Sequence, residues 1–84
     1  MNTFFFLMAE LETVTPALAD ICEKYLGMKP ATAEKKALLG ELALPTFRIG
    51  ESQKAPRLVH LEDLAEHIDK ARKKGKELYD YINK

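Results

Sequence analysis

Cysteine is nearly absent: Cys22 stands alone among 84 residues, so no disulfide can close within the chain and no oxidising compartment is implied. Long apolar runs are missing as well. The longest, Phe4 to Ala9, is far below the roughly 20 residues that span a bilayer. No basic segment or small-residue cleavage site accompanies it, so neither a membrane association nor a leader is expected and the chain reads as cytoplasmic. There is no glycine-rich phosphate loop, no cysteine pair, and no nucleophile with a recognisable base nearby in sequence. The expectation is a protein that is not an enzyme and carries no cofactor. His60 and His67 lie two helical turns apart, about 10 Å, so they cannot both approach one zinc ion to about 2.1 Å. No metal site is expected.

Net charge is also lacking, with 13 basic residues against 13 acidic ones. A nucleic-acid binder has to neutralise phosphates, so this balance argues against one. The distribution argues the other way. Residues 1–28 carry four acids against Lys24, whereas residues 29–60 carry Lys29, Lys35, Lys36, Arg48, Lys54 and Arg57 against Glu34, Glu41 and Glu51. The middle of the chain is therefore positive although the sum vanishes. In residues 61–84 the acids Glu62, Asp63, Glu66 and Asp69 come first, and the bases Lys70, Arg72, Lys73, Lys74 and Lys76 follow.

What is present is a globular composition, 46% hydrophobic and 31% charged, enough apolar content to fold as one domain over residues 1–84. A chain this short buries only about 60–65% of its unfolded surface, so self-association would help it. Thr3 to Leu11 is polar at its start and then apolar throughout. Periodicity cannot separate helix from strand there, but the residue types favour a short helix capped by Asn2 or Thr3. Thr15 as N-cap and Pro16 as first residue open a clearer helix, with Leu18, Ile21, Cys22, Tyr25 and Leu26 at helical spacing and Gly27 as its stop. Cys22 lies on that apolar face and reads as a small buried hydrophobe. Pro30 then opens another helix, to about Leu39, ended by Gly40.

Two short helices joined by so tight a turn describe a helix-turn-helix. Leu44 to Ile49 and Arg57 to His60 read as strands around a turn from Gly50 to Pro56, a small hairpin placed as a wing. A last helix starts near Leu61, with His60 as N-cap and Asp63 as its reciprocal partner, and runs nearly to the end of the sequence along Leu61, Leu64, Ala65, Ile68, Ala71, Gly75, Leu78, Tyr79 and Ile82. Pairs Glu66 with Lys70 and Asp69 with Lys73 would support it, and Gly75 is where a kink or fraying would start. The fold class is mainly α with a small β-hairpin, a winged helix-turn-helix with a long C-terminal helix.

In that fold the second helix of the pair enters the major groove. Projection at about 100° per residue puts Ala33, Ala37 and Gly40 on a small packing arc and Ala31, Thr32, Lys35, Lys36 and Leu39 on the other. Leu38 and Leu39 are not both buried by this projection. Thr32 can meet a phosphate or a thymine methyl, and the lysines can meet phosphates or guanine edges. Arg48, Ser52, Gln53, Lys54 and Arg57 supply the wing with donors for a backbone or a minor groove. An ordinary solvated helix face and a plain turn would account for many of the same residues.

The stretches Tyr25-Leu26-Gly27-Met28-Lys29-Pro30, Lys36-Ala37, Gly40-Glu41-Leu42, Leu44-Pro45-Thr46-Phe47-Arg48 and Ser52 to His60, together with the opening Met1 to Ala9, resemble the pyocin activator family. The Ser-Gln-Lys-Ala-Pro run before Val59-His60 is the most specific part, while the generic portion is shared with excisionase-like and MerR-like domains. The resemblance implies an activator of phage-tail-like bacteriocin or prophage genes that binds repeated promoter boxes in double-stranded DNA. RNA polymerase would be its second partner. Specific regulation by so small a unit calls for a homodimer or a cooperative oligomer on DNA.

Two residues depart from the pattern expected of such domains. Lys29 stands where a short capping side chain is usual, placing a cation at the positive end of the helix unless a phosphate binds there. Ala43 stands where a proline would precede Leu44-Pro45. Competing readings are an excisionase-like architectural protein and a phage or prophage protein-interaction module, such as an antirepressor. The latter would use Phe4, Phe5 and Phe6 with Leu78, Tyr79 and Ile82.

Overall fold

The segment around Leu58 joins pieces of chain that no helix contact would join. Its Arg57 carbonyl accepts from the Leu18 N–H at 2.8 Å and its Val59 N–H donates to the Pro16 carbonyl at 2.9 Å, while Leu58 exchanges both backbone bonds with Phe47. In this computed structural model, which describes residues 2–51 and 54–84, the β-structure outside the helices consists of two isolated antiparallel bridges, Ala17 with Leu58 and Phe47 with Leu58. The wing-tip residues Ser52 and Gln53 lie outside the described residues.

The hairpin expected over residues 44–49 and 57–60 is thus one bonded pair, for a reason written in the prolines. In the register set by Phe47 and Leu58 the next bonded pairs on either side would be 45 with 60 and 49 with 56. Positions 45 and 56 are both proline, and proline has no N–H to give to a ladder.

Four helices are described: α1 (Thr3–Leu11), α2 (Leu18–Leu26), α3 (Pro30–Leu38) and α4 (Leu61–Ile82). Asn2, whose side chain accepts from the Phe5 N–H, caps α1, and the Thr3 hydroxyl donates instead to the Asp69 carboxylate of α4. α1 stops at Glu12, which adopts a left-handed φ of 56°, a conformation disfavoured for a residue with a Cβ. The start of α2 differs from expectation. Its N-cap is Ala17, with no side-chain cap, because residues 14–18 lie extended against residues 57–61 and the Leu18 N–H is taken by a carbonyl of that segment. Pro16 is buried there and contributes only its carbonyl.

Gly27 ends α2 at a φ of 67°, as a left-handed stop requires, and α3 begins three residues later. Ala33, fully buried, lets α3 pack against α2, while Gly40 turns the chain out at a φ of 69°. Both Leu38 and Leu39 are exposed, so neither joins the core. That core gathers Leu7, Leu18, Ile21, Cys22, Ala33, Leu44, Val59, Leu61, Leu64 and Ala65, with α1 packed on α4.

His60 caps α4 through Nδ1, which accepts from the Glu62 N–H at 3.0 Å. The capping box expected with Asp63 is not formed among the described residues: the Asp63 N–H donates to the His60 carbonyl, and the His60 side chain serves the Glu62 N–H. Glu66 and Lys70 form the expected pair at 3.0 Å. α4 runs unbroken through Gly75, and every residue from Asp69 onward is exposed, so its second half projects from a molecule 52 Å in its longest dimension.

α1 is braced to α2 by Glu10, whose carboxylate accepts from Lys24 Nζ and from the Tyr25 hydroxyl, both at 2.7 Å. The hydrogen bond from Lys24, then that from Tyr25, holds the Glu10 carboxyl below its ordinary 4.5. Lys24 is raised above 10.5, chiefly by its bond to Glu10. A lowered carboxyl stabilises the fold above its unfolded value and loses that contribution as pH falls through the folded value; a raised ammonium does so below its unfolded value and loses it as pH rises. The stability difference between the natural chain and Glu10→Gln, measured by urea denaturation, is therefore expected to be constant at neutral pH and to shrink below 4.5. A difference that persists undiminished in acid would assign the effect of the substitution to something other than charge.

Candidate nucleic-acid interface

α3 is built to show one face. Ala33 is buried and Ala37 half-buried on the side that meets α2, which leaves Ala31, Thr32 and Lys35 exposed and Lys36 half-buried on the other. With Leu39 and Glu41 these residues line a shallow surface groove. The projection from sequence is realised for Ala33 and Ala37, whereas Gly40, expected on the same packing arc, is exposed beyond the end of α3.

The first turn of α3 carries no acidic residue, and its N-cap, Lys29, makes no side-chain capping bond. The first-turn amide groups and the exposed Lys29 ammonium point the same sign of charge at whatever approaches this end of the helix.

Arg48 and Arg57 are placed differently from the lysines of α3. Arg48 Nη2 donates to Glu34 Oε1 at 2.7 Å, and Arg57 Nε donates to the same oxygen at 3.1 Å. Arg57 Nη1 also donates to the Thr46 hydroxyl at 3.1 Å. The Arg57 side chain is only 12% exposed, against 27% for Arg48 and 38% for Glu34. One carboxylate on α3 therefore holds a residue beside each member of the Phe47–Leu58 pair, at a cleft lined by Pro30, Glu34, Arg48, Pro56 and Arg57 among others. Arg48 Nε is buried and has no hydrogen-bond partner among the described residues.

Glu34 was not singled out from sequence, although it is the acid set among the bases of α3. The signal available was its spacing: one turn after Pro30, it lies off the arc of Ala31, Lys35 and Lys36, toward the chain that returns along the helix. Lys54 is exposed near the wing tip.

Among the described residues no three His, Cys, Asp or Glu side chains group in a way that could hold a metal ion, and no helix is long and apolar enough to cross a membrane. Residues 3–75, from the start of α1 to the glycine inside α4, match the family described as pyocin activator protein PrtN. The chain belongs to this family. The pyocin activator family is one of regulators of pyocin genes and not a known family of enzymes. No curated protein and no solved structure matches the chain.

The shared carboxylate makes a stability prediction. Glu34→Gln keeps the shape of the side chain and removes the charge that two partly buried guanidinium groups share, so it is expected to lower the unfolding free energy by about 1–3 kcal/mol in denaturant titration. An unaltered midpoint would mean that the segments around Arg48 and Arg57 are held by Leu44, Phe47 and Leu58 alone.

Proposed function

We propose that the chain is a sequence-specific DNA-binding transcription activator of pyocin or prophage genes, acting as a winged helix-turn-helix in which α2 and α3 form the helical pair. One observation carries the proposal: α3 turns Ala31, Thr32, Lys35 and Lys36 outward on one face, next to an uncapped N-terminus flanked by Lys29. A helix about 10–12 Å wide fits the major groove of B-DNA. On this reading Thr32 and Ala31 approach base edges or thymine methyls, and Lys29, Lys35 and Lys36 take phosphates or guanine edges. A phosphate at the start of α3 also removes the cost of a cation at the positive helix end.

The segment from Phe47 to Leu58 serves as the wing. Ser52, Gln53 and Lys54 are proposed as its backbone contacts, on the residue types alone. Arg48 and Arg57 orient the wing through Glu34, and since a guanidinium carries five donors, an arginine held in this way can still present N–H groups to a phosphate. Promoter repeats would be occupied by paired copies, with RNA polymerase as the further partner of an activator.

Fluorescence anisotropy with a duplex from the regulated promoter tests the reading. The combined Lys35→Ala and Lys36→Ala variant is expected to bind at least about tenfold more weakly, through the loss of two charge-assisted contacts. If about four bases meet phosphates, affinity should fall about 100-fold between roughly 50 and 200 mM salt. Binding that is indifferent to both changes would remove α3 from the interface.

A further inference from the structure

α4 carries one apolar stripe at alternating spacings of three and four: Leu61, Leu64, Ile68, Ala71, Gly75, Leu78 and Ile82. This is the heptad period of a coiled-coil seam. The first three positions are used inside the chain, with Leu61 and Leu64 fully buried and Ile68 packed against the core. The remaining four stand on the projecting half of the helix, where Leu78 is 60% and Ile82 69% exposed.

Gly75 adds a second observation. It is helical, with ordinary φ, and a Cβ built on it meets nothing within 4 Å. Glycine inside a helix costs about 1 kcal/mol relative to alanine, and nothing in the chain's own fold asks for it. The space it leaves is on the seam.

We infer that the projecting half of α4 pairs antiparallel with the same segment of a second copy of this chain, through Ala71, Gly75, Leu78 and Ile82. Side-chain volume selects the direction. In an antiparallel pair centred between residues 76 and 77, Gly75 meets Leu78 of the partner and Ala71 meets Ile82, so every layer combines one small and one large residue and fills at even density. A parallel pair would set glycine on glycine and leucine on leucine, leaving a void beside a bulge.

The residues beside the seam fit the same direction. Lys70, Arg72, Lys73, Lys74 and Lys76 form one basic block, followed by Glu77, Tyr79, Asp80 and Tyr81. Of these, Arg72, Lys74, Tyr79 and Tyr81 flank the seam, and the antiparallel pair sets Arg72 beside Tyr79 and Lys74 beside Tyr81 of the partner, a cation against a ring face each time. Glu77 and Asp80 lie off the seam, four residues after Lys73 and Lys76 of the same helix. The family match ends at Gly75, so Leu78 and Ile82 belong to a part of the helix that the match does not cover.

Sedimentation velocity and site-directed cross-linking of the full chain test this pairing. The natural chain is expected to sediment as a dimer, and Leu78→Asp to raise its dissociation constant at least about tenfold. Because Leu78 is exposed in the single chain, the circular dichroism spectrum should keep its helical content. Mixing Ala71→Cys with Ile82→Cys and oxidising should join position 71 of one copy to position 82 of the other, with each variant alone forming little dimer. Cys22, fully buried, does not compete.

A monomer at the highest concentration reached overturns the inference. So does linkage of position 71 to position 71, which marks a parallel pair. A Leu78→Asp variant that loses affinity for DNA while keeping the mass of the natural chain would assign the basic block to phosphates and overturn it as well.

Discussion

The backbone of residues 57–61 is the constraint on which the remaining structure depends. In an extended segment, successive amides face opposite sides. Leu58 bonds to Phe47 on one side, and its neighbours Arg57 and Val59 bond to Leu18 and Pro16 on the other, while Leu61 donates to Val14. One short stretch therefore fixes where α2 begins, where the chain pairs back with Phe47 and where α4 departs. Each of these bonds joins residues more than ten positions apart, so none would form in an isolated fragment. Buried Val59 and Leu61 give the segment an apolar reason to lie there.

Glu34 completes the frame in the other direction. The bonds of residues 57–61 tie this segment to Phe47 and to the residues that lead into α2, and Glu34 ties it to α3 through Arg48 and Arg57. Two partly buried cations on one carboxylate are no efficient source of stability, because desolvating them offsets most of the attraction. The arrangement fixes an angle instead. With five donors each in a rigid fork, the arginines set how the Phe47–Leu58 pair lies against α3.

The helices were legible in the sequence because their signals are local: Pro30 before and Gly40 after α3, Gly27 after α2, the His60 cap and the long stripe of α4. Assigning the first segment to a helix also agrees with the structure, and the cap proved to be Asn2 since Thr3 is taken by Asp69. The start of α2 was misread because Thr15-Pro16 has the residue types of a capped helix, while its conformation is decided by Leu58, some forty positions away. The single-pair wing was readable in principle from Pro45 and Pro56, but only once the register of Phe47 and Leu58 is known. In the candidate site, the outward face of α3 followed from helical periodicity. The pairing of Arg48 and Arg57 did not, since no periodicity connects a strand-like segment to an acid on a helix.

Zero net charge loses its force as an objection once the charges are placed. On the outward side of α3, Lys29, Lys35 and Lys36 stand with one acid, Glu41, so the charge there is positive although the sum over the chain is zero. On the proposed reading, so few phosphate contacts would hold one copy weakly at physiological salt, and joining two copies would supply the specificity. In the antiparallel arrangement proposed for α4, Leu64 would lie about 19 Å along the helix from the centre of the pair, which would put the two cores roughly 37 Å apart. One turn of B-DNA spans about 34–36 Å. Two such bodies could therefore address successive major grooves on one side of the duplex, and the second contact would form at the high effective concentration that a rigid connection provides.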